Sequence, residues 1–118
     1  MSSSPKNPSS TRSSSEHVWT FLSNYAHVLV CIAREPHATL REISYAVGVT
    51  ERAVHRIISE LEAAEVVTHT REGRRNHYVV DTTVPLRHPL EEDKTVGDLL
   101  SVLLSPEEAA QLGLNRQR

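Results

Sequence analysis

The sequence predicts a mainly helical fold with one small β-hairpin: a three-helix core, a hairpin directly behind it, and a helical C-terminal segment. Three observations carry this. Apolar residues recur at helical spacing in consecutive stretches punctuated by Pro36 and Gly48. Two β-prone runs then flank a polar segment containing Gly73. Beyond them, Thr95 and Ser105 each precede an acidic residue by three positions, a helix-start signature.

In chain order, the first fifteen residues, MSSSPKNPSSTRSSS, hold eight serines, two prolines and no large apolar side chain after Met1. Such a stretch buries too little surface to offset the entropy of ordering, so residues 1–16 are expected to form a disordered arm. The arm has no hydrophobic region of the secretory type, and no later apolar run approaches the roughly 20 residues needed to span a bilayer. A soluble, cytoplasmic protein without membrane contact is therefore expected.

Val18, Leu22, Tyr25, Leu29 and Ile32 recur at helical spacing and predict a first helix over 17–35, stopped by Pro36. The stretch TLRE then places Thr39 at an N-cap with Glu42 three residues on, where each side chain can satisfy a free backbone N–H. Leu40, Ile43 and Val47 make the buried stripe of a short second helix, ended by Gly48. Thr50 is the next N-cap, with Glu51 in the first turn where the helix dipole favours a negative charge. The third helix runs to about Ala64 with Val54, Ile57, Ile58 and Leu61 on its apolar side.

The runs 66–70 and 76–80 predict a hairpin with a flexible basic tip. Residues 81–89, with two prolines, read as an extended connection. A further helix starts at Thr95, capped with Asp98, its stripe formed by Val96, Leu99, Leu100 and Leu103; Ser105, Pro106 and Glu108 open a last short helix reaching Leu112. Residues 17–81 thus form one domain, and 82–118 a linker with C-terminal helices. The segment VGDLLSVLL, 96–104, carries more apolar residues than one helix side buries in a small domain, which points to a homodimer.

Charge is segregated. The net charge is −2, but REGRR, 71–75, has three positive charges against one negative, whereas LEEDKTVGD, 90–98, has four acids against one base. A local basic patch can contact phosphate on a slightly acidic molecule. The third helix adds to it: Arg52, His55, Arg56 and Ser59 fall opposite the apolar stripe.

Two short helices joined by a tight turn follow the pattern of a helix-turn-helix, and the segment 40–61 fits it throughout, with Val49 filling the angle between the helices. The stretch TLREISYAVGVTERAVHRIISELEAAEVV followed by THTREGRRNHYVVD resembles the winged helix-turn-helix domains of small prokaryotic transcription regulators of the MarR and ArsR type, over 19–81. The resemblance implies a three-helix core plus wing, and a sequence-specific regulator of double-stranded DNA. The second helix of the motif would enter the major groove, with Thr50, Arg52, His55, Arg56 and Ser59 facing it, and Arg52 and Arg56 reading guanine. Arg41 would meet phosphate; Arg71, Arg74, Arg75 and Asn76 would form the wing contact, with His77 just behind. Many relatives have Ala at Ser44, whose hydroxyl therefore needs a partner, and Gly at Glu65, which is expected to take a strained left-handed conformation.

Other chemistry is not expected. There is no Gly-rich phosphate loop, nucleophile elbow or paired carboxylate in an apolar setting, so no enzyme is predicted. The seven histidines make no recognised ligand spacing with the single cysteine, and neither a metal site nor a cofactor is expected. Cys31 reads as a small buried hydrophobe, the alternative being an oxidisable thiol at a dimer interface. Trp19, Phe21 and Tyr25 read as core or dimer-facing side chains. The competing reading of the whole is a winged-helix module that binds protein without DNA, favoured by the acidic stretch 91–93 and the negative net charge.

Overall fold

The computed structural model describes residues 18–114. Its elements are α1 (Asn24–Arg34), α2 (Leu40–Val47), α3 (Glu51–Ala63), β1 (Val67–Glu72), β2 (Arg75–Val80), α4 (Val96–Leu103) and α5 (Pro106–Gln111). Three helices followed by an antiparallel two-stranded hairpin make a winged helix-turn-helix, with two C-terminal helices added. The arm expected over 1–16, together with His17, lies outside the described residues.

α1 starts later than the apolar spacing predicts. Ser23 occupies the N-cap in extended conformation, and Val18, the first member of the predicted stripe, is 79% exposed. A short helix is held mainly by its packed face, and that face begins at Val28, continuing through Leu29, Ile32 and Ala33. The core reading of Trp19 and Phe21 is overturned for the same reason: they precede the helix, stand exposed and touch each other edge to face, with ring centroids 4.9 Å apart. Tyr25 stays at the surface because its hydroxyl donates to the Glu60 carboxylate. That bond, which needs the phenol protonated, raises the Tyr25 pKa.

α2 opens on the expected capping box: the Glu42 amide donates to Thr39 Oγ1 at 3.1 Å, and the Thr39 amide to Glu42 Oε1 at 2.9 Å. It ends at Gly48, whose φ of 90° turns the chain into α3. The Ser44 hydroxyl finds its partner within the helix, donating to the Arg41 carbonyl at 2.9 Å. In α3 the Thr50 hydroxyl caps the Ala53 amide at 3.0 Å, and Val54, Ile57, Ile58 and Leu61 are buried against the other two helices.

The end of α3 is strained as the sequence suggests. The Val66 amide reaches the Leu61 carbonyl and the Glu65 amide the Glu62 carbonyl, both at 2.9 Å, the bond pair of a Schellman cap. The cap demands a left-handed residue, and Glu65 supplies it at φ 64°. α5 closes with the same bond pair, from Leu114 to Ala109 and from Gly113 to Ala110, but there the left-handed position holds a glycine.

β1 and β2 pair from Val67↔Val80 to Glu72↔Arg75, leaving Gly73 and Arg74 as a two-residue tip. One side of this hairpin rests on the core through Val67 and Tyr78, and the Tyr78 amide donates to the Pro36 carbonyl at 2.9 Å. The wing's second strand is thereby bonded to the chain just ahead of α2.

The connection after β2 is not simply extended. It folds back along the start of α4: the Val96 amide donates to Val84 at 2.8 Å and the Gly97 amide to Thr82 at 2.9 Å. Gly97 permits this, since a Cβ there would stand 2.9 Å from the Thr82 carbonyl oxygen. Val96, Leu100, Leu104 and Ala109 join the same buried cluster as the first three helices, and Arg34 of α1 lies 3.4 Å from Glu108 of α5. Cys31 is half-buried against that cluster, and the burial pushes its thiol pKa up.

Candidate nucleic-acid interface

The outward side of α3 is built by the helix period. With Val54, Ile57, Ile58 and Leu61 turned into the core, Arg52, His55, Arg56 and Ser59 stand exposed on the opposite side. Thr50 precedes them at the N-cap, its oxygen occupied by the Ala53 amide and its hydroxyl proton free to donate. Two acidic residues further along the helix, Glu60 and Glu62, are engaged within the protein, whereas Glu51 in the first turn is exposed. Glu60 lies 3.9 Å from the Arg56 guanidinium and accepts the Tyr25 hydroxyl, while Glu62 pairs with His69 of β1. Arg52 has no acidic partner among the described residues.

α2 contributes Arg41 in its exposed first turn, also without an acidic partner among the described residues. Tyr45 stands one turn on, 91% exposed. Tyr45 is a surface group that sequence reasoning missed; its i, i+4 relation to Arg41, opposite the Leu40, Ile43 and Val47 stripe, is the signal that would have found it.

The wing places its polar residues unequally. Arg74 is exposed at the tip, and Arg71 and Asn76 face each other across the ladder. The Arg71 Nε donates to the Gly73 carbonyl at 3.2 Å, and Asn76, half-buried, donates to the Tyr78 hydroxyl at 3.3 Å. Arg75 differs. Its Nη1 donates to the His37 carbonyl at 2.8 Å and to Glu42 Oε1 at 3.2 Å, so it straps the wing to the entrance of α2. Glu42 has its pKa lowered, first by the Thr39 amide and then by this guanidinium.

Taken together, α3 offers an uncovered polar row with two arginines, and the hairpin carries Arg71 and Arg74 near its tip. Residues 27–68 match the family model for winged helix-turn-helix DNA-binding. No curated protein and no solved structure matches the chain. The winged helix-turn-helix match begins inside α1, takes in all of α2 and α3 and ends at the second residue of β1, so it covers the whole exposed row of α3 and stops short of the wing tip. It supports a DNA-binding role for this part of the chain. No described helix is long and apolar enough to cross a membrane.

Behind the wing, where His77 was expected, three side chains converge. His37 Nε2 lies 2.9 Å from Glu72 Oε1, and His77 Nδ1 lies 3.3 Å from Glu72 Oε2, with the two imidazole rings stacked at 4.6 Å. Glu72 has its pKa lowered, chiefly by the His37 hydrogen bond. Local spacing carried no sign of this cluster, because His37 is brought to the hairpin by tertiary contacts, the Pro36–Tyr78 backbone bond and the Arg75 guanidinium on the His37 carbonyl.

Proposed function

We propose that this protein is a sequence-specific regulator of transcription that binds double-stranded DNA, with α3 in the major groove and the wing on the backbone or in the adjacent minor groove. The observation that carries the reading is the uncovered row Arg52, His55, Arg56 and Ser59 on a helix whose other side is wholly taken by the core. Arg52 and Arg56 are the guanine readers, because a guanidinium bridges O6 and N7 in a bidentate way. Arg41, Thr50 and Tyr45 supply charge and hydroxyl donors for phosphates at the N-terminal end of the motif, and on the wing Arg71 and Arg74 supply charge and Asn76 an amide donor. Arg75 serves by holding the wing in place.

The protein acts as a homodimer in this reading, with two recognition helices about 34 Å apart on one side of a near-palindromic operator. The apolar side of α4 is largely used within the chain, since Val96, Leu100 and Leu104 are buried. What supports association is the apolar surface left outside it: Phe21, Leu90 and Val102 are all strongly exposed. Sedimentation at micromolar concentration tests this directly, and a monomer of 13.2 kDa would rule it out.

Selection from a random DNA library with the purified protein and an Arg52→Ala, Arg56→Ala double variant tests the main proposal. Enrichment of an inverted repeat that the variant loses supports base reading by α3. The competing reading, a winged-helix module for a protein partner, is favoured by the exposed Trp19 and Phe21 and the exposed acids Glu91, Glu92 and Asp93. Salt separates the two, since phosphate contacts release counterions and give a steep fall of affinity with ionic strength.

A further inference from the structure

The geometry points to a zinc site at the base of the wing, with His37, Glu72 and His77 as its protein ligands. Their donor atoms all lie within 4.8 Å of one another. Each imidazole already lies close to the carboxylate, His37 Nε2 2.9 Å from Oε1 and His77 Nδ1 3.3 Å from Oε2, against the roughly 3.4 Å between neighbouring donors of a tetrahedral zinc with bonds near 2.0 to 2.1 Å. The stacked imidazoles would have to turn, and Glu72 to present one oxygen, for all three to meet one ion.

The backbone positions these three residues independently of any ion. Glu72 faces Arg75 across the ladder and His77 lies two residues further along β2, so strand alternation puts Glu72 and His77 on the same side of the hairpin. His37 is clamped beside them from both sides: the Pro36 carbonyl takes the Tyr78 amide, and the His37 carbonyl takes the Arg75 guanidinium. Elsewhere His69 meets Glu62, and among the described residues no third donor joins that pair.

The donor set selects the ion. Two imidazole nitrogens and one carboxylate suit zinc and its first-row neighbours, whereas calcium and magnesium want oxygen cages. With both imidazoles neutral the three ligands carry a single negative charge, so a divalent ion leaves the cluster at +1. Three protein ligands also leave one tetrahedral position for water or an external anion. The ion would join the segment ahead of α2 to both strands of the wing, a cross-link that the Glu72 contacts alone make only through exchangeable hydrogen bonds.

The test uses the full chain freed of metal by a chelator and titrated with Zn²⁺ against a chromophoric competitor, with Co²⁺ as a spectroscopic stand-in. One equivalent should bind at micromolar affinity or better. His37→Ala, His77→Ala and Glu72→Gln should each weaken binding by about 10-fold or more, as loss of a ligand must cost at least what loss of its supporting partner does. His55→Ala should bind as the parent does. Imidazole resonances of His37 and His77 should shift on adding Zn²⁺, a readout that does not depend on the variants folding. Unchanged affinity in folded ligand variants, no binding by the parent, or shifts confined to other histidines would overturn the assignment. None of these readouts involves DNA, so the site stands or falls separately from the proposed function.

Discussion

Arg75 and Thr39 share one acceptor, Glu42 Oε1: the Thr39 amide reaches it at 2.9 Å and the Arg75 guanidinium at 3.2 Å. The cap of α2 and the strap on the wing are therefore a single arrangement. Thr39→Ala is expected to cost about 1 kcal/mol in urea unfolding, the usual effect of losing an N-cap hydroxyl. Glu42→Gln retains an oxygen for the cap but loses the charge facing Arg75. It should cost less stability than Thr39→Ala while speeding amide exchange in β2.

Glu65 presents a case where two backbone effects oppose each other. A non-glycine residue in the left-handed region carries about 1 to 2 kcal/mol of strain. Glycine would relieve it but brings roughly 0.5 to 1 kcal/mol of extra freedom to the unfolded chain. Relief wins, so Glu65→Gly should stabilise the domain by about 0.5 to 1 kcal/mol. A raised Tm checks this, and Glu65→Val should lower it, since branching at Cβ worsens the clash.

The interface residues should separate by kind of contact. Arg74→Ala, at the exposed wing tip, should weaken binding by similar factors on matched and mismatched DNA and reduce the salt slope by about one. Arg52→Ala or Arg56→Ala should cost about 1 to 3 kcal/mol on the selected operator and relax preference at one base position. Fluorescence anisotropy on operator and scrambled duplexes at several salt concentrations measures both.

Acid should loosen the packing of α5. The Ser105 amide, and after it Arg34, holds the Glu108 carboxyl below its usual range. A folded pKa below the unfolded one gives stabilisation that is present above the ordinary Glu value of about 4.3 and lost as pH falls through the folded value. The unfolding midpoint should therefore drop on acidification below about pH 4, and Glu108→Gln should flatten part of that drop. Asp81, lowered by the Thr83 hydroxyl and amide, contributes with the same sign.

Gly97 tests how firmly the chain after the wing is fixed. A methyl group there would stand 2.9 Å from the Thr82 carbonyl oxygen and 3.1 Å from a Leu114 methyl. Gly97→Ala should destabilise the protein in spite of alanine's better helix propensity. If thermal unfolding shows no loss, the fold-back against α4 does not contribute to stability.

Three capping boxes, at Thr39, Thr95 and Ser105, were legible in the sequence because each is a contact between residues three apart. The strain at Glu65 was legible for a related reason, as it follows from the local geometry of a helix end. The start of α1 was not: Val18 and Leu22 have helical spacing, but only packing shows that Val18 has nothing to cover it. The polar row of α3 could be read from its period, whereas the inward turn of Arg75 and the His37, Glu72 and His77 cluster depend on chain segments that meet only after folding.

The Pro36–Tyr78 backbone bond makes one amide a clock. Tyr78 is buried and its N–H is bonded outside its own hairpin partner strand, so it can exchange with solvent deuterium only when the wing lifts away from the helices. Its exchange rate therefore reads the frequency of that single opening event, and comparing it with the amides of α3 tells whether the wing detaches alone or only when the whole domain unfolds.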